Sequence, residues 1–503
     1  MKVREEDRMI HSLAVDTVIT VWWEKPDAAP AKYEVYVDGQ KNCEAEKTHA
    51  AIENLEPDTT YRICVEPMHL EAEVRTGIRK RRLDVAAAPY YAKGDGKTLN
   101  TRALQKALDD CGAGDAVYLP AGIYLTGALR LHSDMELYLE EGAVLQGTER
   151  IEDYLPRIPS RFEGIERECY SSLLNLGHMD HEGRADCENV LIHGRGTISG
   201  GGAALARKMI EDERERLKDY IASLGEQVKE CENDDTIPGR VRPRLINMSN
   251  CRNVRISGLT LQNGTCWNVH MIYSDSVTTD HCTFRSEKVW NGDGWDPDSS
   301  ANCTLFACTF YTGDDAVAIK SGKNPEGNII NRPCEHIRIF DCYSAFGHGI
   351  CMGSEMSGGI RDVRIWDCDL RNSLCGLEIK GTRKRGGYVR DIFVRDCRLP
   401  RIQVHSVGYN DDGIGAEEPP VFEHFVFEGI YLTGQYYGDD RSYTECPAVS
   451  LEGFEEEGHE VKDVLLKDLV LAPGALQKIQ VCCCEGIRVE NLSTSSGTIP
   501  EDI

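Results

Sequence analysis

The sequence lacks several features that would place it in common protein classes. It has no run of about 18 apolar residues that would predict a membrane-spanning helix. Its charged N-terminus, MKVREEDRMIHSLAVDT, lacks the apolar core of about 7–15 residues found in secretory signals. The 21 cysteines include no paired C-x-x-C motifs with zinc spacing. We therefore expect reduced thiols, no metal site, no membrane partner and a cytoplasmic location, with a secreted protein whose signal has been removed as the alternative.

Basic residues are outnumbered by acidic ones. The chain has 57 Lys and Arg against 83 Asp and Glu, a formal net charge of −26, and only 7% aromatic residues. Such an acidic chain repels nucleic acid, so we expect no nucleic-acid partner. What is abundant is glycine, with 47 residues, which indicates many turns. At 503 residues the chain is long enough for a large core and more than one domain.

Residues 1–78 are predicted to form a small β-sandwich. Short alternating stretches separated by Asp-Gly and Pro-Asp turns predict strands over Val15–Trp23, Tyr33–Val37 and Tyr61–Pro67. Together with two tryptophans and the pattern Leu55-x-Pro-x-Thr-x-Tyr61, this stretch resembles a fibronectin type III domain. We expect a spacer or binding module without catalysis, with Leu55 and Tyr61 as core anchors.

The remainder, residues 79–503, is predicted to form a right-handed parallel β-helix, which makes the chain all-β. From residue 189 a short motif, typically Asn or Asp followed by Val or Ile, returns mostly every ~23–40 residues, the spacing of a solenoid with unequal loops. Its copies begin at Asn189, Asn253, Ser276, Asn302, His336, Asp362, Asp391, Asp463 and Gly486.

Cysteines confirm the register of these repeats. Five consecutive copies carry cysteine six residues after their start, at Cys282, Cys308, Cys342, Cys368 and Cys397. Leucine stands at the same place in other copies, for example Leu259 and Leu469. We therefore interpret these cysteines as a ladder of small buried side chains and not as metal ligands or redox centres.

One stretch interrupts the repeats, at about residues 203–235. Its apolar residues follow helical spacing, with charges between them, which predicts an amphipathic helical insertion. Two roles remain open for it: a surface for a partner helix, or a wall beside a binding groove.

Four short motifs fall on successive repeats between residues 291 and 380. They are Asn291-Gly292-Asp293, Gly313-Asp314-Asp315, Gly347-His348-Gly349 and Glu378-Ile379-Lys380. In a solenoid, residues at matching turns lie side by side although tens of positions separate them in sequence. The motifs therefore predict one cluster of three aspartates and a histidine with a lysine at its edge. Asp296 and Asp298 are interpreted as turn residues.

In this order along a β-helix, the four motifs resemble glycoside hydrolase family 28, the polygalacturonases, over about residues 85–500. The fibronectin-like module and the stretch Gly347–Glu355 are most similar to bacterial exo-acting members. The resemblance implies an inverting hydrolase, without a cofactor, that cleaves α-1,4-galacturonide bonds of pectin-derived polymers or oligomers. It implies Asp314 as the general acid, with Asp293 and Asp315 holding the attacking water.

The residue chemistry points to the same reaction class. Glycoside hydrolysis needs one carboxylic acid to protonate the leaving oxygen and one carboxylate to activate water or attack. Crowded carboxylates raise each other's proton affinity, so one of them can remain protonated. We expect His348 to hydrogen-bond the acid Asp314 and keep it protonated, and not to act as the base.

An anionic substrate also requires local positive charge. We expect Asn291, Lys380, Arg383 and Arg385 to bind the galacturonide. The family usually has arginine two residues before this lysine, and here that position is Glu378. Arg383 or Arg385 would then supply the guanidinium, since arginine binds carboxylates with two hydrogen bonds. Trp295, Tyr409, Tyr436 and Tyr437 are interpreted as core residues, with stacking on sugars as the alternative.

Three alternatives to a galacturonide hydrolase remain. Glu378 motivates a substrate such as rhamnogalacturonan or another uronide-containing glycan. A lyase of this fold would need calcium and a basic proton abstractor, which the aspartate-histidine set disfavours. A non-catalytic carbohydrate-binding solenoid would not need three aspartates in register. The sequence does not predict an oligomeric state.

Overall fold

A computed structural model describes residues 9–225, 241–407, 414–473, 479–494 and 497–498. The chain divides into two compact units, residues 1–83 with 112–116, and residues 84–111 with 117–503. The predicted domain boundary at residue 78 stays a prediction. Within the part of the chain that is described, no helix is long and apolar enough to cross a membrane.

The first unit contains two antiparallel sheets. Its strands are His11–Ala14, Ile19–Trp22 and His49–Ile52 in one sheet, and Tyr33–Val37, Gln40–Ala45, Thr60–Glu66 and Leu70–Arg75 in the other, followed by Arg81–Asp84. Trp23, Val35 and Ile63 are fully buried in a shared core. Leu55 and Tyr61 pack against this core, and the Tyr61 hydroxyl accepts a hydrogen bond from the Glu56 amide at 2.9 Å. Both predicted anchors therefore lie at the core.

The second unit is a right-handed parallel β-helix whose coils each contribute strands to three sheets, here called A, B and C. Sheet A contains Asp115–Leu119, Met135–Leu139, Cys187–Gly194, Cys251–Ser257, Asp275–Asp280, Thr304–Phe306, Cys334–Phe340, Ile360–Trp366, Tyr388–Arg395, Val421–Glu428, Val461–Lys467, Cys484–Glu485 and Arg488–Glu490. Sheet B contains Asp95–Leu99, Gly122–Thr126, Ala143–Gly147, Thr197–Ser199, Thr260–Gln262, Thr283–Arg285, Thr309–Tyr311 and Tyr343–Phe346, and continues with Arg398–Leu399, Tyr431–Leu432, Val470–Leu471, Ser493–Thr494 and Gly497–Thr498. Sheet C contains Leu129–Leu131, Leu174–Leu176, Ile246–Ser249, Val269–Ile272, Trp295–Asp298, Val317–Ile319, Gly349–Met352, Gly376–Gly381, Ile402–Ser406, Val449–Glu452 and Ile479–Cys482.

The backbone explains the composition of the repeat. The residues that begin the copies from Asn189 to Asp463 all have φ between 51° and 60°, in the left-handed region. Asn and Asp adopt this conformation more readily than other residues with a side chain. These residues lie in the first positions of a sheet A strand or just before it, so a left-handed residue recurs at the beginning of these strands, which is why Asn and Asp recur there.

The predicted cysteine ladder lies in the core. Cys282, Cys308, Cys342, Cys368 and Cys397 are each at most 3% exposed. The cysteines of the described residues are free thiols. Each ladder thiol contacts the backbone carbonyl two residues before it, for example Cys308 Sγ to Phe306 O at 3.2 Å. The ladder therefore fills the interior of the coils, as its alternation with leucine predicts.

Two segments are inserted between strands of the β-helix, a helical one and a hairpin. The predicted helical insertion contains the helices Gly202–Arg216 and Lys218–Leu224, while residues 226–240 lie outside the described part. Leu205 and Met209 of its first helix pack against Tyr154 and Tyr170 of the same unit. An antiparallel hairpin, Ile158–Phe162 with Ile165–Cys169, was not predicted. Among the described residues, the remaining helices are Thr101–Asp109, Glu326–Ile330 and the 3-10 turn Ile151–Tyr154.

Candidate active site

The register of sheet C brings the predicted catalytic residues together. Asp293, Asp315 and His348 each lie two residues before a strand residue that pairs with its equivalents on the neighbouring coils. Because parallel strands lie about 4.8 Å apart, side chains at equivalent positions form a column. The same turns carry Asn291 and Asp314. The expected cluster is therefore present at the edge of sheet C.

Hydrogen bonds fix the geometry around Asp314. His348 Nδ1 lies 2.9 Å from Asp314 Oδ1 and 3.5 Å from Asp315 Oδ1. On the other side, Asn291 Nδ2 donates to Asp314 Oδ2 at 3.3 Å. Arg242 Nη2 in turn donates to Asn291 Oδ1 at 2.7 Å. Asn291 was predicted to bind substrate, and the contacts seen here give it a role in orienting Asp314.

Two members of the cluster are more accessible than the others. The side chains of Asp314 and His348 are 22% and 23% exposed, whereas Asp293 and Asp315 are 3% and 5% exposed as residues. Asp314 and His348 can therefore reach an atom at the surface of the cluster, while Asp293 and Asp315 lie beneath it.

The Asp314–His348 contact controls where a proton resides. Burial acts to raise the pKa of Asp314, but the hydrogen bond and charge of His348, with Lys380 and Lys320, outweigh it and lower that pKa to about 2. Burial acts to lower the pKa of His348, but the hydrogen bonds to Asp314 and Asp315 raise it to about 12. In the free protein the proton therefore lies on His348. This direction is opposite to the expectation that His348 keeps Asp314 protonated.

The pKa values of Asp293 and Asp296 are shifted upward, in the opposite direction to that of Asp314. Burial, followed by the charges of Asp314 and Asp315, raises the pKa of Asp293 against the effect of Lys320. Asp296 lies on the strand Trp295–Asp298 and is fully buried, and burial together with Asp293 raises its pKa. Neither of its carboxyl oxygens has a hydrogen-bond partner among the described residues. The interpretation of Asp296 as a turn residue was therefore wrong.

Two lysines flank the aspartates. Lys320 Nζ lies 3.4 Å from Asp293 Oδ2 and 3.8 Å from the centre of the Trp267 ring. Lys380 Nζ lies 3.8 Å from Asp315 Oδ2. Positive charge is therefore located beside the buried carboxylates.

Glu378, the residue that departs from the family pattern, points into this site. One carboxyl oxygen lies 2.6 Å from His405 Nε2, and the other lies 2.9 Å from Lys380 Nζ and 3.3 Å from Cys351 Sγ. Although burial acts to raise the pKa of Glu378, Lys380 and His405 hold it well below its usual value. Glu378 is thus an ionised carboxylate that compensates the charge of Lys380.

Two sets of side chains could hold a metal ion. The ligand atoms of Asp314, Asp315 and His348 lie within 4.8 Å of one another, as do those of Asp315, Cys351 and Glu378. Lys380 already supplies positive charge next to Asp315 and Glu378. A lysine at this place competes electrostatically with a bound cation.

Comparison with known proteins agrees with this geometry. Residues 183–410 match the model of glycosyl hydrolases family 28, and this range contains all four motifs. This region of the chain therefore belongs to glycosyl hydrolases family 28. The chain is similar to a probable polygalacturonase of Vitis vinifera, with 33% identity over 67% of this chain and 65% of that protein. It is also similar to an exo-poly-alpha-D-galacturonosidase of Dickeya chrysanthemi, with 26% identity over 71% of this chain and 63% of that protein. The chain thus spans slightly less than two thirds of these curated relatives.

Solved structures of this family share the fold. The Yersinia enterocolitica family 28 exopolygalacturonase has a TM-score of 0.78 at 21% identity, covering 99% of this chain and 100% of that one. An exopolygalacturonase from Thermotoga maritima has a TM-score of 0.67 at 26% identity, covering 83% and 93%.

The two arginines predicted to bind substrate have other contacts. Arg383 Nε pairs with Glu456 Oε1 at 2.9 Å on the surface. Arg385 is 2% exposed and donates to Ser354 O at 2.8 Å and Asn324 Oδ1 at 2.7 Å. Arg385 therefore holds its loop in place, and a guanidinium that binds the substrate carboxylate would have to come from another residue.

Sequence reasoning missed residues on earlier coils of the family 28 site. Arg242 is fully buried and donates a hydrogen bond to Asn291. Lys320 Nζ lies over the Trp267 ring. Arg244 and Trp267 lie at the same offset before their strands of sheet C as Asp293 does. That offset is the signal that could have identified them. Of the aromatic residues considered, Trp295 is core, Tyr436 and Tyr437 are half-buried, and Tyr409 lies outside the described residues.

Proposed function

We propose that the protein is an inverting glycoside hydrolase that cleaves α-1,4-galacturonide bonds and releases short products from one end of pectin-derived chains. The observation that carries this proposal is the cluster of three aspartates and a histidine on successive coils, flanked by two lysines. A carbohydrate-binding solenoid would not need crowded carboxylates beside a charged imidazole.

In the proposed reaction the three aspartates have different roles. Asp293 and Asp315, buried beside Lys320 and Lys380, hold the attacking water, and Asp315 takes its proton because the raised pKa of Asp293 makes Asp293 unsuited to act as the base. Asp314, the accessible carboxyl group, protonates the leaving oxygen. Its pKa is low in the free protein, so the acid form requires a change on substrate binding. A bound galacturonate adds negative charge and excludes water, and both effects raise the pKa of a neighbouring carboxyl group.

The hairpin Ile158–Cys169 supports action at a chain end. Arg161 Nη1 pairs with Asp298 Oδ1 at 2.6 Å, with both side chains fully buried. At the tip, Lys323 N donates to Gly164 O at 2.9 Å, and the Phe162 ring stacks on Trp267 at 5.1 Å between centroids. The hairpin thus lies across sheet C on the coils before and beside Asp293. We propose that it closes this end of the groove.

The helical insertion then supports the hairpin. Tyr170, directly after the hairpin, donates from its hydroxyl to Asp212 Oδ2 at 2.7 Å, and the Arg157 guanidinium contacts Glu213. Both acidic residues belong to the helix Gly202–Arg216. The wall role predicted for the insertion is in this proposal shared with the hairpin, which lies nearer to the aspartates.

A second substrate class has one specific observation in its favour. Glu378 places a carboxylate beside Lys380, which weakens the attraction for an anionic sugar at that point. A neutral sugar there, as in rhamnogalacturonan, would be less affected. A product time course on tri- to hexagalacturonate, with Asp314→Asn as the comparison, tests the proposal. Early release of one small product, lost in the variant, supports it. No turnover by the parent refutes it and favours the second class.

The first unit and the location are proposals of the same kind. We propose that residues 1–78 form a fibronectin type III-like spacer, which the two antiparallel sheets support. The free buried thiols support a cytoplasmic location. The proposed partner is an anionic oligosaccharide, and neither nucleic acid nor a membrane is expected.

A further inference from the structure

The side of the site away from the hairpin is short of positive charge. Lys380 lies within 4 Å of two carboxylates, at 2.9 Å from Glu378 and 3.8 Å from Asp315. Its single positive charge is therefore already compensated by these two carboxylates, although a protonated His405 adds a positive charge of its own. If a chain end lies against the hairpin, the rest of an anionic chain extends over the following coils. A further cation is required there to bind it.

Arg401 lies at this place. Its Nη2 donates to Cys375 Sγ at 3.7 Å, and its guanidinium carbon lies 5.3 Å from the centre of the Tyr436 ring. Its Nε is buried and has no hydrogen-bond partner among the described residues. The residue is half-buried. Arg401 is thus a half-buried arginine whose guanidinium is positioned by Cys375 and by the Tyr436 ring.

The register connects Arg401 to the catalytic cluster. The Cys375 amide donates to His348 O at 2.8 Å, so Cys375 lies one coil beyond His348. Arg401 comes directly before the strand Ile402–Ser406, which pairs with the strand Gly376–Gly381 and so lies one coil further. Two coils correspond to about 10 Å along the sheet. Cys375 is also within electrostatic range of both His348 and Lys380.

We infer that Arg401 binds the carboxylate of a galacturonate on the side of the cleaved bond away from the hairpin, with the Tyr436 ring supporting its guanidinium. This inference rests on the proposed function. It assigns to Arg401 the task that the family pattern gives to arginine at position 378. A guanidinium binds a carboxylate through two parallel hydrogen bonds, and stacking on an aromatic ring orients it for this. Arg401 is therefore a specificity-determining residue for anionic chains.

The test compares two substrates. Trigalacturonate has a carboxylate on the leaving group, whereas 4-nitrophenyl α-galacturonide does not. Arg401→Gln should raise KM for trigalacturonate roughly 10- to 100-fold, the effect of losing a charged hydrogen-bonding partner. It should change kcat/KM for the aryl substrate less than about threefold. Arg401→Lys should restore part of the loss. The matched control is Arg398→Gln, an exposed arginine on sheet B.

The outcomes separate the two proposals. Equal losses on both substrates, or a KM for trigalacturonate like that of Arg398→Gln, overturn the role of Arg401 while leaving the proposed function intact. A parent protein that neither cleaves trigalacturonate nor binds it in calorimetry overturns both. Circular dichroism and thermal unfolding show whether Arg401→Gln is folded. If it is not, the kinetics of Arg401→Lys on the same two substrates decide whether Arg401 has the proposed role.

Discussion

His348 Nδ1 and Asp314 Oδ1 lie 2.9 Å apart, and this contact gives the imidazole a charge in the folded protein. The hydrogen bonds raise the pKa of His348 to about 12 against the opposing effect of burial. A pair linked in this way titrates as a unit. The acid form of Asp314 therefore depends on what happens to this pair when substrate binds.

The pair predicts a pH dependence of stability. Because the pKa of His348 is raised on folding, its contribution is fully present below its unfolded pKa, about 6.5. It is lost as pH rises from there through about 12. The free energy of unfolding should fall with a slope of at most roughly 1.4 kcal/mol per pH unit from this residue. Urea unfolding at pH 7 to 10 should show a shallower decline for His348→Gln than for the parent.

The control for this prediction is His69→Gln. The His69 side chain is 83% exposed in the first unit, so its removal should leave the decline unchanged. An identical decline in the parent and in His348→Gln would contradict the charged imidazole.

Glu378→Gln is expected to strengthen the binding of anionic substrate. Glutamine keeps the size of the side chain and removes the charge that lies 2.9 Å from Lys380. The released positive charge should lower KM for trigalacturonate roughly three- to tenfold. Initial rates over a range of substrate concentration measure this. Glu456→Gln, which removes the surface partner of Arg383, should leave KM unchanged. An unchanged or raised KM in Glu378→Gln would show that Glu378 is required to position Lys380.

The hairpin can be detached by one substitution. Arg161→Ala leaves Asp298 as a buried, uncompensated carboxylate beside His270, which should lower the free energy of unfolding by about 3–5 kcal/mol. Loosening of the hairpin should also open the groove, so that products of hexagalacturonate become longer. Chromatography of early products measures this. Arg184→Ala, at a side chain that is 81% exposed, is the control. Destabilisation with an unchanged product pattern would limit the hairpin to a structural role.

Thiol chemistry tests the cysteine ladder. Burial raises the pKa of Cys308, Cys368 and Cys397 well above its usual value, and only a thiolate reacts rapidly. A disulfide reagent should therefore not modify the ladder in the native protein, so Cys308→Ala should leave the number of fast-reacting thiols unchanged. Cys482→Ser should lower it by one, because Cys482 is exposed. Rapid reaction of the ladder under native conditions would contradict its burial.

The sequence could predict what depends on local conformation and stacking. The repeats were visible because each coil needs a left-handed turn, which selects Asn or Asp at positions such as Asn253 and Asp391. The cluster was visible because residues at equivalent turns share a column. Both features follow from one periodic rule.

Contacts between distant segments could not be predicted in this way. The hairpin strands IPSRF and IEREC show no clear alternation, and Arg161 meets Asp298 across 137 positions. Arg385 is buried because its loop contacts Asn324, 61 positions earlier. Asp296 lies in the glycine-rich stretch Asn291–Asp296 and resembles a turn residue, and only the structure shows that it is buried in a strand of sheet C. The direction of the proton shift in Asp314 required the distance to His348.

The most direct test of the proposed mechanism is the stereochemistry of the first product. Proton NMR, recorded from the first minutes, would follow the anomers formed as the parent protein cleaves trigalacturonate. The β-anomer of the new reducing end should appear first, since water held by Asp293 and Asp315 attacks opposite to the leaving group. No unsaturated product absorbing in the ultraviolet should form. First appearance of the α-anomer, or an unsaturated product, would contradict the proposed mechanism.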